Sequence, residues 1–350
     1  MAEQATAGPA AERLADHTTL RVGGPATRVL APVTEDELVQ TVRDLDAAGE
    51  PLLVLGGGSN VLVGDGGFHG TVVKVATRGI DADVEHCSGA VLSVAAGEPW
   101  EDLVRYAVER EHSGLETLAG IPGLTGGTPI QNVGAYGTEV GQLITTVKTL
   151  DRSTGKVRTL FAVDCRFGYR TSRFKTEPGR FLVLSVTFQL RLGSLSAPVR
   201  YPELARALGI EVGQRAPVRD VAETVLALRR GKGMVLDDAD PDTWSAGSFF
   251  TNPILALDAA AALPADAPRF PQPDGQVKTS AAWLIERAGF GRGFGDGPAR
   301  VSGKHSLALT NRGSARAEDI LDLARRVRAG VQQAYGITLV AEPVLVGCQL

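Results

Sequence analysis

The stretch AGIPGLTGGTPIQNVGAYG, residues 119–137, decides how the rest of the chain is read. It is too rich in glycine for a regular core element and too apolar for a disordered linker. Gly120, Ile121, Pro122, Gly123, Gly126 and Gly127 make one turn-dense run, and Asn132, Gly134 and Ala135 a second, stiffened by Pro122 and Pro129. A merely connecting loop gains nothing from ordering so many glycines. An earlier loop, Gly56-Gly57-Gly58-Ser59-Asn60, lies between two apolar strand candidates. Glycines without Cβ atoms let backbone N–H groups approach an anion, and Ser59 and Asn60 add side-chain donors. Taken alone, that loop reads equally well as a tight hairpin turn. It is not a Rossmann fingerprint, because Val61 stands where the third glycine belongs and a strand follows instead of a helix. Two such loops, one on each of two lobes, could clamp a pyrophosphate. Neither is followed by a P-loop lysine, which disfavours ATP hydrolysis.

Outward from these loops the composition is that of a globular enzyme-sized chain. Of 350 residues 43% are hydrophobic and 22% charged, and 36 Lys plus Arg against 40 Asp plus Glu leave a net charge of −4. That balance disfavours nucleic acid as a partner. No apolar run approaches the ~20 residues of a membrane helix, and the first residues lack the pattern of a signal peptide. Cys87, Cys165 and Cys348 are too scattered for a disulfide framework or a zinc cage, so a reducing cytoplasm and no metal are expected. Glycine is the excess, at 42 residues.

TEDELVQTVRDLDAAG (34–49) predicts a helix capped by Thr34 and Glu37, with Leu38, Val42 and Leu45 on one face. EPWEDLVRYAVEREH (98–112) predicts another, and VKTLDRSTGKVRTL (147–160) a hairpin turning at Ser153–Gly155. Gly193–Pro198 is the best compositional boundary. Beyond it three helical patterns, at 218–230, 280–289 and 317–336, interleave with apolar strands at 307–311 and 338–347. The whole reads as α+β, with a smaller C-terminal α/β part from about residue 216.

VLGGGSNVLV, AGIPGLTGGTPIQNVGAYG, FGYRTSRFK, AGSFFTNP and the terminal AEP stand in the order found in the UDP-N-acetylenolpyruvoylglucosamine reductases, also called UDP-N-acetylmuramate dehydrogenases. The resemblance runs from Leu20 to Gly347. It implies a two-lobed FAD-binding fold of the vanillyl-alcohol-oxidase type plus a C-terminal substrate domain. The corresponding division is 14–76, 77–215 and 216–350, with the last strand free to return toward the flavin. By the same resemblance the two glycine loops contact the pyrophosphate of a noncovalent FAD, NADPH is the reductant, and the enolpyruvyl ether of UDP-N-acetylglucosamine is the substrate. No nucleic acid and no membrane are expected as partners.

Hydride addition to an enol ether needs cationic or protonated groups on the adjacent carboxylate and a proton donor at the neighbouring carbon. Arg170, in GYRTS, matches the family's carboxylate-polarising arginine, although a surface role is the commoner fate of an arginine. Glu342, before Pro343, matches the catalytic glutamate, against the alternative of an edge-strand carboxylate in water. Ser248, in AGSFF, matches the proton-donating serine, against the alternative of a turn or cap residue. Tyr136 and Tyr201 resemble substrate-side tyrosines, the second in the VRYPEL context of a loop that closes over the nucleotide. Lys232, Asn252 and Arg292 fall where relatives contact phosphate or uridine. Thr251 departs from the lysine common at its position, as does GKGMVLD from the usual proline-containing stretch. A flavin oxidase of the same fold and a non-catalytic nucleotide-binding module are the competing readings.

Overall fold

The computed structural model describes residues 12–85 and 89–350; the N-terminal eleven residues and Cys87 lie outside them. The first lobe is a three-stranded parallel sheet in which Phe68–Lys74 lies between Ala26–Leu30 and Leu52–Leu55. Helix Glu35–Ala47 begins at the expected capping box, where Thr34 Oγ1 accepts from Glu37 N and the Glu37 carboxylate accepts from Thr34 N. Its buried face, Leu38, Val42 and Leu45, packs with Val73 of its own sheet and with Leu150, Leu182 and Leu184 of the next. One amphipathic helix therefore joins the two lobes.

The second lobe is antiparallel. Its strands run in the order Lys156–Phe161, Ile144–Asp151, Phe181–Leu192, Gly89–Ala95 and Ile80–Glu85, and the hairpin predicted around Ser153 supplies the first pair. Phe188, Val186 and Leu190 alternate inward on the long central strand and meet Trp100 and Leu103 of helix Trp100–Glu109. A third body holds the sheet Ser245–Ser248, Ala308–Asn311 and Ala299–Val301, packed against helices Ala281–Arg287 and Ala317–Tyr335. All-parallel, antiparallel and helix-covered layers side by side are the α+β arrangement.

Two features differ from the sequence reading. The compositional break at Gly193–Pro198 is not where packing changes. Val199, Leu204, Val221 and Val225 all belong to the second lobe's core, so helix Val218–Gly231 is part of that lobe. The stretch between is an excursion closed at its base, with Ser196 N donating to Ala216 O and Val218 N to Ser194 O. The apolar run 338–347 is also not one strand. Pro343 lacks an N–H, and only Val344–Val346 is a strand, pairing in parallel with Val61–Val63 of the first lobe. Just before it, Ala341 bridges to Phe250 of the third body.

Candidate active site

The two glycine loops form opposite walls of one cleft. A Cβ on Gly57 would lie 2.8 Å from Gly123 Cα, so the loops touch backbone to backbone. Gly58 has φ +63°, and a Cβ there would overlap His17 O. Loop two is pinned from behind: Thr125 N donates to Glu98 O, Gly126 N to Ala96 O, and Trp100 N to Gly123 O. Across the cleft Asn60 Nδ2 donates to Gln131 Oε1 at 2.6 Å, tying one loop to the other. A Cβ on Gly127 would meet nothing within 4 Å and one on Gly56 only the tip of Leu124. Open backbone of this kind suits close approach of a pyrophosphate, and the cleft volume of ≈ 320 Å³ is within the range of ligand sites (~300–1,000 Å³). The residues present fit FAD.

Of the expected flavin-contacting residues, Gly56, Gly57, Gly58, Ser59, Asn60, Ile121, Pro122, Gly123, Gly127 and Gly134 line this cleft. Gly120, Gly126, Asn132 and Ala135 do not, and for the first three the structure shows another task. Gly120 has φ +71°, gives its N–H to Glu101, and faces Leu226 and Val235. Gly126 packs on Ala96. Asn132 is 1% exposed, donates to Glu139 and Gly168 O, and accepts from Gly141 N. These three shape the loop rather than face its contents.

Arg170, Ser248 and Glu342 all line the same cleft. Gly168 and Thr171 exchange backbone hydrogen bonds and force Arg170 to φ +51° at the tip of a tight turn. From there Arg170 Nη2 donates to Gly134 O at 2.8 Å, and Nε lies 3.1 Å from Glu342 Oε1. Glu342 stands where the chain changes partners: its own N–H donates to Phe249 O, and that of Val344 to Asn60 O. Its side chain is 11% exposed. Burial raises the carboxyl above its ordinary range, and Arg170 and then Lys175 pull it back in part. Ser248 ends strand Ser245–Ser248, one residue from the carbonyl that anchors Glu342. Its hydroxyl makes no hydrogen bond with the described residues.

A second group sits beside the cleft. The Tyr136 and Tyr201 rings meet edge to face with centroids 5.3 Å apart, and Lys232 Nζ is 5.6 Å from the Tyr136 centroid and 2.5 Å from Glu203 Oε2. Burial pushes the Tyr136 phenol up to about 12. Asn252 and Arg292 are not brought to the cleft lining: Asn252 Oδ1 accepts from Ala281 N, and Arg292 lies on an exposed loop. The glycines around Arg292 carry no periodicity from which its position could be read.

Three lining residues with charged or amide side chains were not foreseen. Lys175 ends the FGYRTSRFK motif and is carried by the helix Arg173–Thr176, which Ser172 caps. Gln131 belongs to loop two. Arg229, three residues before Lys232, gives Nη2 to Met234 O while its enclosed Nε has no partner among the described residues. The i, i+3 spacing placing Arg229 on the same helix face as Lys232 was the available signal.

Residues 240–346 match the family described as UDP-N-acetylenolpyruvoylglucosamine reductase, C-terminal domain, and residues 26–160 match the FAD binding domain family. The UDP-N-acetylenolpyruvoylglucosamine reductase of Cutibacterium acnes is 60% identical over 340 residues, covering 96% of this chain and 90% of its own. That of Streptomyces coelicolor is 56% identical over 348 residues, with coverages of 96% and 90%. The solved structure of the reductase (MurB) from Thermus caldophilus superposes with a TM-score of 0.65 at 28% identity, covering 96% of this chain and 98% of that one.

Proposed function

The chain belongs to the UDP-N-acetylenolpyruvoylglucosamine reductase family, and from that premise we infer how its own residues carry out the family's reaction. It is an FAD-containing oxidoreductase that uses NADPH to reduce the enolpyruvyl ether of UDP-N-acetylglucosamine to UDP-N-acetylmuramate, a step of peptidoglycan precursor synthesis. The observation that carries the residue assignment is the Arg170–Glu342 pair, 3.1 Å apart in the glycine-loop cleft that Ser248 also lines.

When bound, FAD supplies the redox centre, accepting hydride from NADPH and delivering it to the vinyl methylene carbon. Arg170 binds and polarises the substrate carboxylate, its planar fork suiting two oxygens. Glu342, whose burial favours the protonated form, donates a hydrogen bond to the charge that spreads into that carboxylate. The Ser248 hydroxyl, held one residue from Glu342's anchor and without a hydrogen-bond partner among the described residues, gives its proton to the carbon bearing the carboxylate. Tyr136, Tyr201 and Lys232 hold the nucleotide end, with Tyr201 carried on the excursion 194–217. The substrate-binding unit is proposed to begin after Gly231, because the preceding helix packs into the second lobe. Among the described residues no helix is long and apolar enough to cross a membrane, and the cytoplasm, with its reduced thiols, is the compartment proposed.

Anaerobic mixing tests the function. NADPH should bleach the yellow holoenzyme, and only the enolpyruvyl substrate should restore the colour rapidly. Equally fast recovery with oxygen alone would make the protein an oxidase instead. Acid precipitation should leave the flavin in the supernatant.

A further inference from the structure

At the Arg170–Glu342 end of the cleft a third ionisable side chain lines the wall, without a partner among the described residues. Arg170 is bonded to Gly134 O and Glu342. Lys175 lines the same cleft and is half-buried, and its ammonium makes no hydrogen bond or ion pair with the described residues. Its backbone is anchored: Ser172 Oγ caps the turn at Phe174 N and Lys175 N and itself donates to Ile130 O of loop two. An ammonium carries three donors and is costly to enclose unsatisfied. Among the described residues no carboxylate is hydrogen-bonded to this one, so its charge is available to a group that enters the cleft.

We infer that Lys175 is an electrostatic positioning residue of the reduction, one that acts on Glu342 and brings the charge of the site to match the intermediate rather than the substrate. The inference rests on the reductase reading above. With Glu342 protonated, Arg170 and Lys175 give this end of the cleft a charge of +2. The bound enolpyruvyl carboxylate carries −1. Hydride addition at the methylene carbon leaves an electron pair on the adjacent carbon, delocalised into the carboxylate, so the substrate portion then carries −2. Proton transfer to that carbon returns it to −1. The match is therefore made after hydride addition and before protonation, where binding energy lowers the barrier. Without Lys175 the site would offer +1 against −2.

The groups around Glu342 agree with this role. Arg170 and Tyr169 face it from the turn 168–171 and Lys175 from the following helix, while Asn60 and Ser248 present neutral groups from the other sides. Arg229, farther along the cleft, acts on Arg170. Burial lowers the Lys175 ammonium and the Glu342 carboxylate raises it again. Reciprocally, Lys175 favours the ionised form of Glu342. Removing the lysine must move Glu342 titration to higher pH.

The test is rapid mixing of FAD-loaded Lys175→Met, Lys175→Gln and Lys175→Arg with NADPH, then with UDP-N-acetylglucosamine enolpyruvate, from pH 6 to 10. Flavin reduction by NADPH should stay within a few-fold of the parent. Reoxidation by substrate should fall by about 10–10²-fold in the methionine and glutamine variants, in the manner of a lost transition-state charge, and recover largely in the arginine variant. Its alkaline decline should shift to higher pH in the uncharged variants, which a purely structural defect would not produce. An unmoved alkaline limb, equal slowing of both half-reactions, or loss of FAD with no change in the pH profile would overturn the inference. If the unsubstituted protein itself is not reoxidised by the substrate, the reductase reading fails, whatever Lys175 does.

Discussion

Glu342 shows how much a single residue's neighbours decide. In water it would be an ordinary carboxylate; buried between the bodies it is pushed up, so its hydrogen-bonding form persists to higher pH. The sign follows directly. A raised carboxyl holds its proton below its folded pKa and loses it as pH rises through that value, so an activity needing the protonated form declines on the alkaline side. Glu342→Gln keeps a donor that cannot titrate, and its reoxidation rate should lose that alkaline decline. A decline left in place would assign it to another group. Ser248→Ala should leave flavin reduction by NADPH intact and slow the substrate half-reaction by about 10²–10⁴-fold, with Ser248→Cys less impaired. Near-parental turnover of the alanine variant would make Ser248 only the end of a strand. All three catalytic candidates were legible because short motifs flank each of them. Lys175 was not singled out, since a lysine after an aromatic residue reads the same on a surface as on a cleft wall.

At the level of elements, the loops were legible as loops, but the direction each glycine faces was not. That property depends on what packs behind, such as Ala96 behind Gly126 or Leu226 behind Gly120. Two substitutions one residue apart should therefore behave differently. Gly127→Val projects into open space, so it should leave the apo-protein's melting temperature nearly unchanged and weaken FAD binding. Gly126→Val drives methyl groups onto Ala96, where a Cβ alone comes within 2.5 Å, and should cost about 1–3 kcal/mol of stability as overpacking. Thermal melts with and without added FAD would separate the two. Equal melting temperatures for both apo variants would contradict the packing. The helix within 34–49 and the hairpin within 147–160 were legible because their patterns are strong. The strand expected at 338–347 failed at Pro343, where the backbone must exchange one partner for another.

Over the whole molecule, the α+β class and the three-body plan could be read from ordered motifs and alternating patterns. The boundary near residue 216 could not, because composition marks where a loop is polar and not which core the next helix joins. The excursion 194–217 and the helix after it belong to one body, while Val344–Val346 belongs to another body than the helix before it. Val61–Val63 has that terminal segment as its strand partner, and Leu62 and Val63 are fully buried. Truncation after Glu342 should therefore uncover the first lobe's wall and abolish flavin retention, although the deleted residues include no glycine-loop position. A truncated protein that stays yellow would refute this. The same pairing imposes an order on synthesis. Some 281 residues separate Val63 from Val344 (344 − 63), so at about 5–20 residues per second the nascent chain waits roughly 15–60 s between making the two strands. The strand next to the first glycine loop thus stays uncovered on the ribosome until Val344–Val346 emerges, and the flavin-binding wall is completed only then.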